Sequence, residues 1–270
     1  MSGIVKEIVR KAFSTRADYY DSLAIVQKRV TDRFVELLAE DTAYPQAMLD
    51  IGAGTGRLLE SLNNAFPDAE LTGVDLAFGM TSYAKKRFLE STKVSLVCGD
   101  AECLPFREGS FDLVVSTSTY QWINPLESAF AEAYRVLRPN SLFSFALFGE
   151  KTLFELRESY QAAISNASRA LPDRTHRFVS QQSIMDVLSA VGFKSVTVAS
   201  EIEVEIHREV KDLVRSLKGI GAGSASGVTL GGLSGRSVID GMIQAYKEKF
   251  SVSGGVPATY EVIYGKALKA

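Results

Sequence analysis

The residues best placed for chemistry in this 270-residue chain are Asp50-Ile51-Gly52-Ala53-Gly54-Thr55-Gly56, which follow an apolar run and open a helical pattern. Glycines there let the backbone turn tightly and approach a ligand, while the helix start offers unpaired N–H groups to a carboxylate or a phosphate. A dinucleotide fingerprint counted from Gly52 needs glycine at position 57, where Arg57 stands, so a nicotinamide cofactor is disfavoured. The tetrapeptide Ile-Gly-Ala-Gly recurs at 220–223, behind Val210, Leu213, Val214 and Leu217 at helical spacing. That copy lies at a helix C-terminus, whose spare carbonyls and partial negative charge make a poor anion cradle. Gly219 or Gly221 is expected to supply a left-handed cap there. The same helix carries Arg208, Lys211, Arg215 and Lys218 as a basic stripe, which on physical grounds alone reads as a solvated face. His176 and His207 stand far apart with no Ser or Cys nucleophile beside them, and read as structural or surface residues. Cys98 and Cys103 match no zinc or redox spacing, so reduced thiols and no metal centre are expected.

Elements must hold these residues in place. Short apolar runs at 47–51, 70–75, 94–100, 111–116 and 141–148 read as strands. Between them, 56–66, 78–90 and 125–136 read as helices, the last stopped by Arg138-Pro139-Asn140. This alternation requires crossover connections, hence an α/β fold with a parallel sheet covered on both faces. Beyond 147 come helices at 151–170 and 183–191, the latter ended by Gly192, and strands at 194–206 and 259–268. A glycine-rich helical insert at about 207–256 separates those two strands and is expected to cover the active-site edge. The reading divides the chain into an N-terminal helical lid segment (1–40), a core (41–206), the insert (207–256) and a final core strand (257–270).

A net charge of −2 argues against nucleic-acid binding driven by global positive charge. Charged residues among the apolar ones of the N-terminus leave neither a signal sequence nor a long uncharged span, so a cytoplasmic protein without membrane attachment is expected.

Asp50 with Gly52, Gly54 and Gly56 resembles motif I of class I S-adenosylmethionine methyltransferases. Asp75 at the end of the second strand, Gly99-Asp100-Ala101 after the third, Phe111-Asp112-Leu113-Val114 and Arg135-Val136-Leu137-Arg138-Pro139 follow in that superfamily's order. The resemblance implies a Rossmann-like sheet of seven strands, the last antiparallel, with helical lid insertions. It also implies S-adenosylmethionine as cofactor and S-adenosylhomocysteine as product. Asp75 would accept the ribose hydroxyls, and Asp100 with the Ala101 backbone would read adenine. Leu76, Ser116, Gln121 and Trp122 would complete the cofactor site.

Over nearly the whole chain the sequence further resembles the BioC family of biotin-synthesis methyltransferases, which methylate the free carboxylate of malonyl-acyl carrier protein. The matching pieces are Arg215 to Ala222, Ala12-Phe13 through Tyr20, Gly99 to Glu102, Gln121-Trp122, His176-Arg177-Phe178 and Thr259-Tyr260. Malonyl-acyl carrier protein or malonyl-CoA is then the substrate. Arg215, with Lys218 beside it, would orient the acid; Tyr20 would close over the methyl group or donate to the carboxylate; and Phe178 would wall the malonyl site. The basic stripe, with Arg29 and Arg33, would steer an acidic carrier protein. The segment 223–236 is less like the family.

Overall fold

The computed structural model describes residues 5–41, 45–166, 175–222 and 233–270. Three N-terminal helices, α1 (Lys6–Ser14), α2 (Ala17–Leu23) and α3 (Ile25–Asp41), precede the alternating part. That part runs β1 (Ala47–Ile51), α4 (Arg57–Ala65), β2 (Glu70–Asp75), α5 (Phe78–Arg87), β3 (Val94–Cys98), β4 (Phe111–Thr117), α6 (Leu126–Val136) and β5 (Leu137–Phe148). Then follow α7 (Phe154–Ser165), α8 (Gln181–Val191), β6 (Lys194–His207), α9 (Val210–Gly219), α10 (Leu233–Phe250) and β7 (Val256–Lys269). The seven strands form one sheet in the order β3-β2-β1-β4-β5-β7-β6. β7 lies antiparallel between β5 and β6, and the other strand pairs are parallel, as expected from the sequence.

Alternate residues of the central strands feed two cores. Met48, Leu71, Leu113 and Val115 join one face with α3, α4, α7, α9 and α10, whereas Leu49, Ile51, Val74 and Val114 join the other with α6 and α8. Strands buried on both faces are the physical reason the apolar runs are continuous. The helices of the insert belong to this core: Leu213 and Leu217 of α9 and Met242 and Tyr246 of α10 are buried among the residues of the first face.

Several boundaries differ from the sequence reading. β5 starts at Leu137, directly after α6, rather than at 141. Leu137 pairs with Phe111 while Leu142 pairs with Leu113, so Arg138-Pro139-Asn140 forms a bulge in the strand, with Asn140 at φ +58°. A proline without an N–H is accommodated at such a bulge because the ladder is already interrupted there. Helix α5 ends at Arg87, three residues short of the expected 90. Residues 151–153 form a turn before α7, and 167–170 of the expected helix lie outside the described residues. β7 begins at Val256 rather than 259. Gly221, not Gly219, takes the left-handed conformation after α9, at φ +89°.

The close approach of β7 to β5 depends on Gly265. A Cβ there would meet the Phe145 ring at 2.2 Å. Gly265→Ala is expected to destabilise the fold by about 1–3 kcal/mol through overpacking, read as a lower Tm in thermal unfolding. An unchanged Tm would show that the Phe145 ring moves aside freely.

Candidate functional site

The carboxyl ends of β1, β2, β3 and β4 open on one edge of the sheet, where α/β folds place ligands. The backbone after β1 crosses to β2, with the Gly52 and Ala53 N–H groups both donating to the Val74 carbonyl at 2.7 and 3.0 Å. Gly52 and Gly54 adopt φ +79° and +54°, and a Cβ at Gly52 would lie 2.0 Å from Thr119 Oγ1. Only glycine fits that loop. Asp75 holds its shape: Oδ2 accepts from Gly54 N–H at 2.9 Å and Oδ1 from Ala77 N–H at 2.7 Å. Burial raises the Asp75 pKa, and these two donors oppose the shift.

A first cavity spans these ends. Of the expected cofactor residues, Gly52, Gly54, Asp75, Leu76, Asp100, Ala101 and Trp122 line it, together with Tyr20 and Ser118. The N-terminal helices roof it. Ser14 Oγ accepts from Gly79 N–H at 2.7 Å, Asp21 receives Thr55 Oγ1 at 2.7 Å and Arg87 Nη2 at 2.6 Å, and Lys6 Nζ meets Asp100 Oδ2 at 2.7 Å.

The remaining cofactor expectations fall elsewhere. Gly56 faces α5 rather than the cavity, its Cβ position 2.8 Å from the Phe88 ring. Ser116 is fully buried and donates its hydroxyl to the Ile51 carbonyl at 2.7 Å, a bond between strands. Asp50 lines an adjoining recess beneath the glycine loop, also bordered by Gly52, Gly54, Thr55 and Ser118. Both Asp50 carboxyl oxygens are buried without a hydrogen-bond partner. Burial first, and the nearby Asp75 charge second, hold the Asp50 pKa well above the usual carboxylate range. Gln121 donates to the Ser118 carbonyl at 2.6 Å and lines a second cavity.

Asp50 gives a pH prediction. A group whose folded pKa is raised keeps its proton better in the folded state, so stability falls as pH rises through the folded pKa. Asp50→Asn removes this titration. In the ligand-free chain its Tm is expected to exceed that of the unsubstituted protein by a margin that widens as pH rises. A margin constant with pH would contradict the assignment.

The second cavity adjoins the first, sharing Phe13, Tyr20, Ser118 and Trp122 with it. Phe13 sits edge-on to both Tyr20 (6.1 Å between centroids) and Trp122 (5.7 Å), so these rings form the wall between the two spaces. Most of the second lining is apolar, including Phe148, Leu156, Phe178, Leu217 and Tyr260, and Arg157 is its one formal charge among the described residues. Arg157 stands on the first turn of α7, and its guanidinium donates to the carbonyls of Glu150 and Thr152. That turn is pinned to β7: Gly149 N–H donates to Glu261 O at 2.8 Å, Leu153 N–H to Thr259 O at 2.6 Å and Lys151 N–H to Glu261 Oε2 at 3.0 Å.

Arg215 lines neither cavity. Its side chain is 74% exposed and bonded to Asp212 at 2.6 Å on the same helix. Lys218 likewise lines neither. Val210, Leu213 and Leu217 take the buried face of α9, and Arg215 sits about 200° round the helix from Leu213. Arg29 and Arg33 are spent on Glu203 and Glu201 of β6, at 3.1 and 3.0 Å. The sequence reading passed over Ser118 and Arg157. Ser118 stands two residues beyond Ser116, at φ +55° and with its buried Oγ unpartnered, at the junction of both cavities. Its signal was the end of the strand; Arg157 lies within an ordinary helical pattern and gives none.

Residues 49–145 match the methyltransferase domain family model. The chain is 48% identical over 257 residues to malonyl-[acyl-carrier protein] O-methyltransferase from Geobacter sulfurreducens, covering 95% of this chain and 96% of that protein. The chain belongs to the malonyl-[acyl-carrier protein] O-methyltransferase family. Its fold is shared with the YcgJ protein of Bacillus subtilis (TM-score 0.62, 17% identity, 88% of this chain and 98% of that one). It is also shared with Haemonchus contortus phosphoethanolamine N-methyltransferase 2 in complex with S-adenosyl-L-methionine (TM-score 0.55, 20% identity, 95% of this chain and 57% of that one). Members of this methyltransferase family use S-adenosylmethionine, and the first cavity suits it: a glycine cradle that a Cβ would fill and a carboxylate at the end of β2, with the Asp50 recess adjoining. No described helix is long and apolar enough to cross a membrane.

Proposed function

We propose that the chain transfers the methyl group of S-adenosylmethionine to the free carboxylate of a malonyl thioester, carried by acyl carrier protein or by coenzyme A. The observation that carries this reading is the pair of adjoining cavities, one with a glycine cradle and acidic strand ends, the other largely apolar with the cation of Arg157 among its described residues. S-adenosylmethionine supplies an electrophilic methyl group on a sulfonium.

In this reading Asp75 and Asp100 receive the ribose and adenine, and Gly52 and Gly54 let the backbone approach the methionine end. Asp100 must first leave Lys6, so helix α1 shifts as the cofactor enters. Arg157 is assigned the orienting role that the family resemblance gave to Arg215, because a guanidinium fixed by two backbone carbonyls can hold a carboxylate in one plane. A malonyl carboxyl, with an ordinary pKa of roughly 4, is ionised at neutral pH and needs no general base to become a nucleophile. Phe148, Leu156 and Phe178 keep water from it, and Tyr20 with Trp122 brings donor and acceptor to one wall. An outer cavity bordered by Lys151, Arg177 and Lys249 shares Arg157, Thr175, His176 and Phe178 with the acceptor chamber, and is the entry for the thioester arm.

Incubation with methyl-labelled S-adenosylmethionine and malonyl-acyl carrier protein, in parallel with malonyl-CoA, should yield a base-labile labelled ester. Binding of S-adenosylmethionine without ester from either thioester would sink the reading.

A further inference from the structure

His176 is a buried titratable side chain of the acceptor chamber that the mechanism above leaves unused. It is 8% exposed, and its ring packs against Trp122 (5.0 Å between centroids) and edge-on to Phe178 (4.5 Å). One ring nitrogen bonds the Gln121 backbone. The other, Nε2, is buried and has no partner, in a residue that lines both the inner and the outer cavity. A neutral imidazole whose Nδ1–H donates to a carbonyl carries a lone pair on Nε2. That lone pair repels a bare carboxylate, yet becomes a charge-assisted donor once protonated.

Resting on the proposed carboxyl methylation, we propose that His176 receives the acceptor's carboxyl group, taking up one proton at Nε2 as the carboxylate seats and returning it when the neutral ester leaves. The balance closes. The carboxylate oxygen forms the new bond to the methyl carbon, the sulfonium–methyl bond breaks, and the electron pair stays on sulfur. The proton gained by Nε2 from solvent on binding goes back to solvent on release. In the ester complex the imidazolium has lost its anion while Arg157 stays nearby, so proton loss accompanies departure of the product.

The surroundings favour this cycle. In the empty site, burial chiefly, and the Arg157 charge, push the His176 pKa down to about 4, so the ring is neutral near pH 7. Across the inner cavity stand Tyr20 and Tyr260, both held protonated by burial. Round the outer one, Lys249 pairs with Glu158 at 2.5 Å and Lys151 faces Glu261 at 3.6 Å; Glu150 and the neighbouring Arg177 are the other charged groups among the described residues there, besides Arg157. The Arg157 charge disfavours protonation of the ring, and an incoming carboxylate offsets it. The sign follows: a bound carboxylate raises the imidazole pKa, so acceptor binding weakens as pH rises from that of the free ring to that of the complex.

The test uses malonyl-pantetheine, which has no phosphate titrating in the same range. With protein saturated by S-adenosylhomocysteine, calorimetry in buffers of different ionisation enthalpy should report uptake of about one proton per acceptor bound near pH 6. In turnover, KM should rise by up to about tenfold per pH unit within the window, and His176→Gln should flatten that profile while keeping cofactor affinity. No proton uptake anywhere between about pH 5 and pH 8, or a His176→Gln profile like that of the unsubstituted protein, overturns the proposal. The calorimetry decides alone if the variant fails to fold. Absence of any methyl ester at every pH would instead strike the proposed function; ester formation with a pH-independent KM strikes only the role of His176.

Discussion

Arg157→Gln is expected to lower kcat/KM for the malonyl thioester by roughly 30- to 4,000-fold, with S-adenosylmethionine affinity changed less than about threefold. The magnitude follows from the roughly 2–5 kcal/mol lost when one partner of a buried, hydrogen-bonded charge pair is removed. No other formal charge lines the described acceptor chamber, so nothing there replaces the guanidinium. Arg157→Lys keeps the charge but loses the planar fork that bonds Glu150 and Thr152, and should fall between the two. Arg215→Ala is the matching comparison. Its side chain is in solvent beside Asp212, so turnover should stay within about threefold of the unsubstituted protein. Steady-state kinetics with labelled ester as product decides the matter: a normal Arg157→Gln, or an Arg215→Ala as damaged as Arg157→Gln is expected to be, would return the orienting role to α9.

The second large effect is expected at Asp75. Its two oxygens accept from Gly54 and Ala77, so the carboxylate shapes the glycine loop before it meets any ligand. In Asp75→Asn one of those N–H groups faces an amide NH2 that cannot accept. Losing a bond to a charged group there, together with a bond to the ligand, costs about 2–4 kcal/mol, or roughly 30- to 800-fold in S-adenosylmethionine affinity. Titration calorimetry with S-adenosylmethionine measures it directly. An affinity within threefold would mean that the loop keeps its form without Asp75 and that the ribose is held elsewhere.

Both predictions rest on residues that differ in how visible they were beforehand. The Gly52 loop, Asp75 and Asp100 were legible because each lies within a few residues of the end of an apolar strand, and such ends share one edge in a parallel sheet. The family-like pieces around them also have local work. Arg135 bonds Glu132 at 2.6 Å and the carbonyls of Leu104 and Phe106 at 3.0 and 2.8 Å, clamping the loop after Asp100. Asp112 accepts from the N–H groups of Gln46 and Ala47, fixing the start of β1.

The acceptor side was legible only in part. Tyr20, Trp122 and Phe178 do meet in one chamber, but they arrive from α2, the turn after β4 and the segment before α8. Arg215 looked suitable because it sits in a basic stripe. That stripe points outward for a reason already present in the heptad of α9, whose apolar residues claim the opposite face.

The sequence by itself therefore determined the alternation of strands and helices and the donor loop, because both depend on neighbours along the chain, while the antiparallel last strand, which pairs with β5 more than a hundred residues earlier, was legible only through family likeness. Tertiary structure alone decided which cation and which imidazole enclose the acceptor. Arg157 is set by a turn pinned to β7 more than a hundred residues later, and His176 by rings from β4's far end and its own segment. Contacts of such range leave no periodicity in the residues that make them.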